Sequence, residues 1–296
     1  MYDAYPDKKF IVLGSSALSI MSEKGDLSRR AVIYSLPSLS FREYLELKHQ
    51  KELPVVSFSE LISNHMSISA NLTSQFRAIL NEFNMFVATG SFPFFLEASG
   101  DEYLEALSGI IDKVIYEDIP TIKALRAFSS LKLKKLFAYL AISKIPLFNI
   151  EFLKTEIEVS KDTLYEYFDL LDRAEIVKIV RTESAAPRVF KNSKILFKSP
   201  NVYFAIAYEL WKGNVDRGNI RESFFVSQTC DTYRLFSSAT TDFLLLDGDS
   251  CFEIEVGGKS KKKKQIKNLK NGYIFKDDIE VGAGNTLPLY LIGFLY

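Results

Sequence analysis

Cysteine, histidine and tryptophan are nearly missing: two, two and one in 296 residues. Cys230 and Cys251 fit neither a zinc spacing nor a disulfide framework. His49 and His65 have no Cys, Ser or Asp partner at an informative spacing, so nothing points to a nucleophilic triad. Net charge is absent as well, with 37 Lys+Arg against 37 Asp+Glu, which leaves any argument about charged partners to local runs. No apolar run approaches the ~18 residues that a membrane span needs. The first ten residues have no charged region followed by an apolar one, as a signal peptide would. A soluble, cytoplasmic protein with no membrane partner is the expectation. What is plentiful is apolar mass, 47% of the residues, enough to exclude disorder. At about 100–200 residues per domain, two or three domains are expected.

Phe10-Ile11-Val12-Leu13, ending in Gly14-Ser15-Ser16, reads as a buried strand of a parallel sheet. Val32-Ile33-Tyr34 adds a second short strand. From there to about residue 160 the pattern is mostly helical. The candidates are Phe41–Lys48, Phe58–Asn64, Ser74–Phe83, Glu102–Tyr116, Ile122–Ser129 and Leu131–Ser143. A domain that opens on a buried strand and then lacks a sheet reads as one whose sheet lies upstream.

Residues 121–200 continue with a short helix Phe148–Lys154 and a helix capped by Ser160 and running to Ala174. The latter sets Leu164, Tyr167, Phe168 and Leu171 on one face. Strands Ile176–Arg181 and Arg188–Lys191 flank a turn at residues 184–187, completing the order of a winged helix. Residues 201–296 read as an α/β module: helices Val202–Trp211 and Asn219–Gln228, strands Tyr233–Phe236, Asp242–Leu246 and Cys251–Val256, a lysine-rich helix Lys261–Asn271, and a last strand Pro288–Phe294.

Gly258-Lys259-Ser260 follows a strand and opens the expected lysine-rich helix, as a P-loop would. The first glycine of that motif would fall at Glu253, however, and the residues that should wrap the phosphates are strand. Glu222, Asp242 and Glu255 form a second constellation, one acid on a helix and two on neighbouring strands, of the kind that holds Mg²⁺ for phosphodiester cleavage. The lysine expected two residues beyond the strand glutamate is replaced by Gly257, and Thr241 stands where a second acid is common. The site is expected to be degenerate, and no metal is assigned to it.

Several motifs in order carry a family resemblance. Leu13-Gly14-Ser15-Ser16, then Leu27-Ser28-Arg29-Arg30, then Leu36-Pro37-Ser38-Leu39-Ser40-Phe41-Arg42-Glu43-Tyr44 resemble a large prokaryotic family of AAA+-type ATPases. Gly90-Ser91-Phe92-Pro93, Lys113-Val114-Ile115-Tyr116-Glu117-Asp118-Ile119 and Val159-Ser160-Lys161-Asp162-Thr163-Leu164 are similar to its later signatures. Thr241-Asp242-Phe243 and Glu253-Ile254-Glu255-Val256 fall where the family's C-terminal domain, similar to PD-(D/E)XK nucleases, has its acids. The resemblance implies an α/β and α+β multidomain chain: an AAA+ remnant with a helical lid at 1–120, a winged helix at 121–200 and a restriction-endonuclease-like domain at 201–296. It implies that Ser15 or Ser16 senses the γ-phosphate and that Arg30 is a finger or sensor. It also implies ATP and Mg²⁺ as the family's cofactors, held by a P-loop and an acid upstream of the Gly-Ser-Ser strand. The chain starts nine residues before that strand, so no cofactor is expected for this chain alone.

Charge then decides between surfaces. Helix 160–174 has Lys161 and Arg173 against Asp162, Glu166, Asp169 and Asp172, a net of −2, which would repel a DNA groove. The ribbon has Lys178, Arg181, Arg188, Lys191, Lys194 and Lys198 against Glu183, a net of +5, and could track a backbone without reading bases. Lys259 to Lys270, with Lys261, Lys262, Lys263 and Lys264 at its centre, holds seven lysines and no acid. The leading expectation is the C-terminal portion of an AAA+-family ATPase, not competent for hydrolysis alone. It would act as an interaction or regulatory module, with a protein or a second copy as partner. The alternatives are a non-specific nucleic-acid-binding protein and a degenerate metal-dependent nuclease.

Overall fold

A first helical turn leaves its N–H groups without acceptors, and Ser or Asp just before it supplies one. The computed structural model describes residues 8–11, 32, 34–122, 127–143, 150–183, 192–210, 215–262 and 265–296. Ser40 opens α1 (Phe41–His49) with a capping box: Glu43 N–H donates to its hydroxyl at 3.2 Å, and Ser40 N–H donates to the Glu43 carboxylate at 2.8 Å. Ser57 caps α2 (Phe58–Gln75), which runs well past the Asn64 expected from the sequence. Then come α3 (Ile79–Thr89) and α4 (Asp101–Lys113), which widens into a π turn at Val114–Asp118 and closes as a single turn, Ile119–Ile122. Helices α5 (Ala127–Ile142) and α6 (Ile150–Ile157) lead to α7 (Lys161–Arg173), capped by Ser160 as its sequence predicts.

Strands β1 (Val177–Val180) and β2 (Lys194–Phe197) form an antiparallel ribbon, with Val177 opposite Phe197. Helices α8 (Asn201–Glu209) and α9 (Arg217–Thr229) follow, the latter capped by Asp216. The second sheet has the order β3 (Arg234–Ser237), β4 (Phe243–Asp247), β5 (Ser250–Gly257), β6 (Gly272–Lys276), β7 (Thr286–Pro288). Its first three strands are antiparallel, and β6 and β7 run parallel to β5. A 3₁₀ turn, Leu289–Phe294, follows the last strand. The architecture is mixed α/β, with helices and two sheets.

Two apolar cores form. One joins Phe41, Phe58, Phe83 and Phe86 of α1–α3 to Phe224, Phe243, Phe275 and Tyr290 of the α/β part. Its rings meet edge-on, Phe83 against Phe224 at 4.8 Å and Phe58 against Phe252 at 5.1 Å, the geometry that ring quadrupoles favour. The other core joins Tyr103, Leu107 and Ile111 of α4 to Phe137, Leu164, Phe168, Phe197 and Tyr203. The helices between Phe41 and Ile119 therefore divide between the two cores. Asn201, fully buried, stitches them: its Oδ1 accepts from Ser91 N–H at 2.7 Å and the Tyr103 hydroxyl at 2.6 Å, and its Nδ2 donates to the Phe86 and Val87 carbonyls. Ser237 N–H donates to the Arg181 carbonyl at 2.8 Å, tying the ribbon to edge strand β3.

Several expectations fail for stated reasons. Phe10 and Ile11 lie in no strand and are exposed, as are Val32 and Tyr34. Residues 12, 13 and 33 lie outside the described residues. The ribbon's second strand is Lys194–Phe197, not Arg188–Lys191, which lies outside the described residues. The lysine-rich stretch is not a helix: described residues 258–271 make turns, Ile266 is buried, and Asn271 carbonyl accepts from Glu253 N–H at 3.0 Å. Gly258-Lys259-Ser260 therefore opens no helix. Pro288–Phe294 is mostly 3₁₀ turn, and β6 is a strand that the sequence reading missed. Among the described residues no helix is long and apolar enough to cross a membrane.

Candidate functional site

Three acids singled out in the sequence come together beneath the ribbon. Helix α9 brings Glu222, β5 brings Glu255, and Asp242 stands one residue before β4, where its N–H donates to Ile254 carbonyl at 3.0 Å. The Asp242 carboxylate is fixed at both oxygens: Oδ2 accepts from Val256 N–H at 2.9 Å, and Oδ1 accepts from Lys194 Nζ at 2.8 Å. The same ammonium donates to Glu222 Oε2 at 2.6 Å and stands 4.7 Å from the centroid of the Phe243 ring. Lys194 comes from β2, so one side chain joins the ribbon, α9 and the second sheet.

Glu255 is 1% exposed. Lys261 forms an ion pair with its Oε1, yet no hydrogen-bond donor among the described residues is aligned with either carboxylate oxygen. The Lys261 stem lies over Gly257: a Cβ there would be 2.8 Å from the Lys261 Cβ. Gly257 thus leaves the room through which Lys261 reaches Glu255.

Electrostatics follow from this packing. Burial pushes the Glu222 pKa up to about 7, with Asp242 and Glu255 adding to the rise while Lys194 opposes it. Burial and Asp242 likewise raise Glu255, against the pull of Lys261. Burial disfavours the Lys194 ammonium, but Glu222 and Asp242 more than offset it and its pKa is raised. Three carboxylates and two ammoniums carry a net −1 when all are ionised, so one proton makes the cluster neutral. Its chemistry is that of a self-neutralised, proton-holding network. No group of three or more His, Cys, Asp or Glu side chains among the described residues is arranged to hold a metal ion.

A second pair lies alongside. Arg221 of α9 forms an ion pair with Asp277, and a Cβ on Gly258 would stand 3.0 Å from its guanidinium. Burial raises the Asp277 pKa against the pull of Arg221.

Two of the ribbon's bases, Lys194 and Lys198, turn inward. Lys194 is spent on the cluster. Lys198 is buried between Glu175 and Asp231. Burial opposes its ammonium, yet Cys230, Glu175 and Asp231 hold its pKa above the ordinary lysine value. Lys178 and Arg181 act on Asp172, whose pKa is raised by burial in spite of them. Of the other residues proposed from sequence, Lys262 is exposed. Ser15, Ser16, Arg30, Arg188, Lys191, Lys263 and Lys264 lie outside the described residues. Lys194, Arg221 and Asp277 escaped sequence reasoning as site residues. The signal for Lys194 was a lysine entering an apolar strand, Ile195-Leu196-Phe197.

Residues 80–205 match a family described as a domain of unknown function (DUF8612). The chain is 30% identical over 310 aligned positions to the uncharacterized protein MJ1637 of Methanocaldococcus jannaschii. That alignment covers 96% of this chain and 64% of the archaeal protein. No solved structure matches.

Proposed function

We propose that this chain is the C-terminal, non-hydrolytic portion of an AAA+-type ATPase and serves as an interaction or regulatory module, with a protein or a second copy as partner. In this reading α5–α7 with the ribbon form a winged helix, and α9 with the five-stranded sheet forms a PD-(D/E)XK-like unit. The arrangement of one acid on a helix and two at neighbouring strands supports that assignment. The observation that carries the functional reading is Lys194, seated between Glu222 and Asp242. A divalent cation would have to displace an ammonium that two carboxylates already hold. Lys261 answers Glu255 in the same way. The residues present do not fit Mg²⁺, and the strand conformation of 253–257 gives no wrapped amide pocket for a triphosphate.

The test is ATP turnover, and duplex cleavage in Mg²⁺ or Mn²⁺, by the purified chain. Neither activity is expected. Turnover that disappears in Ser15→Ala or Arg30→Ala would overturn the reading. Cleavage that disappears in Asp242→Ala would replace it with a metal-dependent nuclease.

A further inference from the structure

We infer that the described part of the β5–β6 crossover, residues 258–262 and 265–271, is a binding surface for the phosphodiester backbone of nucleic acid. This goes beyond the reading above and does not depend on it. Lys259, Lys262, Lys267 and Lys270 are exposed, and none of them makes an ion pair among the described residues. No acid occurs between positions 259 and 270. The acids nearest in the chain, Glu255 and Asp277, face inward onto Lys261 and Arg221, while Asp278 is exposed farther on. The charge of these four lysines is therefore left for a partner, whereas that of Lys194 and Lys198 in the ribbon is consumed inside the fold.

The loop is also held in place. Ile266 is buried, packed so closely under Gly272 that a Cβ there would lie 2.9 Å from the Ile266 Cβ. Asn271 Nδ2 donates to Cys251 carbonyl at 3.1 Å, and Lys276 Nζ donates to Lys259 carbonyl at 3.1 Å. Pinning the apolar residue inward keeps the lysines outward.

Its chemistry selects the occupant. Among the described residues of the loop no large apolar side chain is exposed, which leaves nothing to insert into a lipid surface. Protein interfaces rely on buried Trp, Tyr or Arg anchors, and the loop has none. Phosphates need only cations, and a loop built of turns offers neither the helix nor the two-stranded ribbon that enters the major groove, so binding is independent of sequence. The crossover runs beside paired strands from Gly257 back to the level of Glu253, a distance of roughly 13 Å at ~3.3 Å per residue. With about 3.4 Å of helix axis per phosphate on one strand, that length faces about four phosphates, one for each exposed lysine.

The experiment is fluorescence anisotropy of two labelled 20-bp duplexes of unrelated sequence, titrated with the whole chain between 50 and 200 mM salt. About four phosphate contacts give a slope of log K on log salt near −3.6, a loss of about a hundredfold over that range, the same for both duplexes. Replacing Lys259, Lys262, Lys267 and Lys270 together by Gln should make the slope much shallower and weaken binding at least tenfold at 50 mM. An unchanged melting temperature would show the variant folded. Lys132→Gln/Lys135→Gln, on α5, should bind as the wild type does. No binding at 50 mM salt would overturn the inference. So would an unchanged slope in the fourfold variant, or tighter binding to phosphatidylserine vesicles or polyglutamate than to duplex.

Discussion

Replacing Lys194 by Met removes one ammonium and leaves two carboxylates in its former place, with a side chain of similar length. Lys194 is 11% exposed in its side chain, and Glu222 and Asp242 are 15% and 18% exposed, so solvent screens the loss poorly. Breaking a buried pair by removing one partner costs about 3–5 kcal/mol. Part of that cost depends on pH, because Glu222 can take up a proton. In the wild type its pKa is about 7, against an ordinary 4.5. The native chain thus holds a proton that the unfolded chain has released. The stability from this group is complete below about pH 4.5 and is lost as pH rises through 7. Without the ammonium the Glu222 pKa climbs further. Each added unit is worth about 1.4 kcal/mol, felt only above pH 7, where the wild type has already ionised. The expected penalty of Lys194→Met is about 4 kcal/mol at pH 8 and some 1–2 kcal/mol smaller at pH 6. At roughly 2–4 °C per kcal/mol, the melting temperature should fall by about 8–16 °C at pH 8. Differential scanning fluorimetry at the two pH values measures it. Lys194→Met/Glu222→Gln should recover at least about 1–2 kcal/mol and flatten the pH dependence, since no uncompensated charge remains at 222. A loss below about 1 kcal/mol that is the same at both pH values, as a solvated surface pair would give, would refute the argument.

Three further outcomes follow from the packing. Asn201→Leu leaves the Ser91 N–H, the Tyr103 hydroxyl and the Val87 carbonyl without their Asn201 partner, while the Phe86 carbonyl keeps Gly90 N–H, and should cost about 3 kcal/mol in urea unfolding. Gly293→Ala should destabilise by about 2–3 kcal/mol, because its Cβ would stand 2.4 Å from the Phe41 Cβ; Gly109→Ala on α4, with nothing within 4 Å, should be neutral or stabilising by up to about 1 kcal/mol. Burial pushes the thiol of half-buried Cys230 up to about 12, whereas Cys251 is exposed, so a thiol reagent at pH 8 should modify Cys251 first and Cys230 much more slowly. Equal native rates at both would contradict the burial of Cys230.

What the sequence determined by itself was local: where chains of backbone donors start, and which faces are apolar. Ser160 and the Leu164–Tyr167–Phe168–Leu171 stripe define α7 because a cap and a 3.6-residue period need no distant partner. Strands β4 and β5 and the three acids were legible for the same reason. Tertiary structure decided whatever depended on a neighbour. Phe10 and Ile11 have strand composition but lie in no strand, and the lysine-rich stretch has helical composition but its described residues are drawn into turns where Ile266 packs beneath Gly272. The greatest difference falls on charge. Lys194 and Lys198 count as surface bases along the chain, yet folding buries both against acids from distant segments. Lys259, Lys262, Lys267 and Lys270 stay exposed, and no carboxylate among the described residues pairs with them. A count of residues gives the sum of charges, and only the path of the backbone assigns each charge to a partner or to solvent.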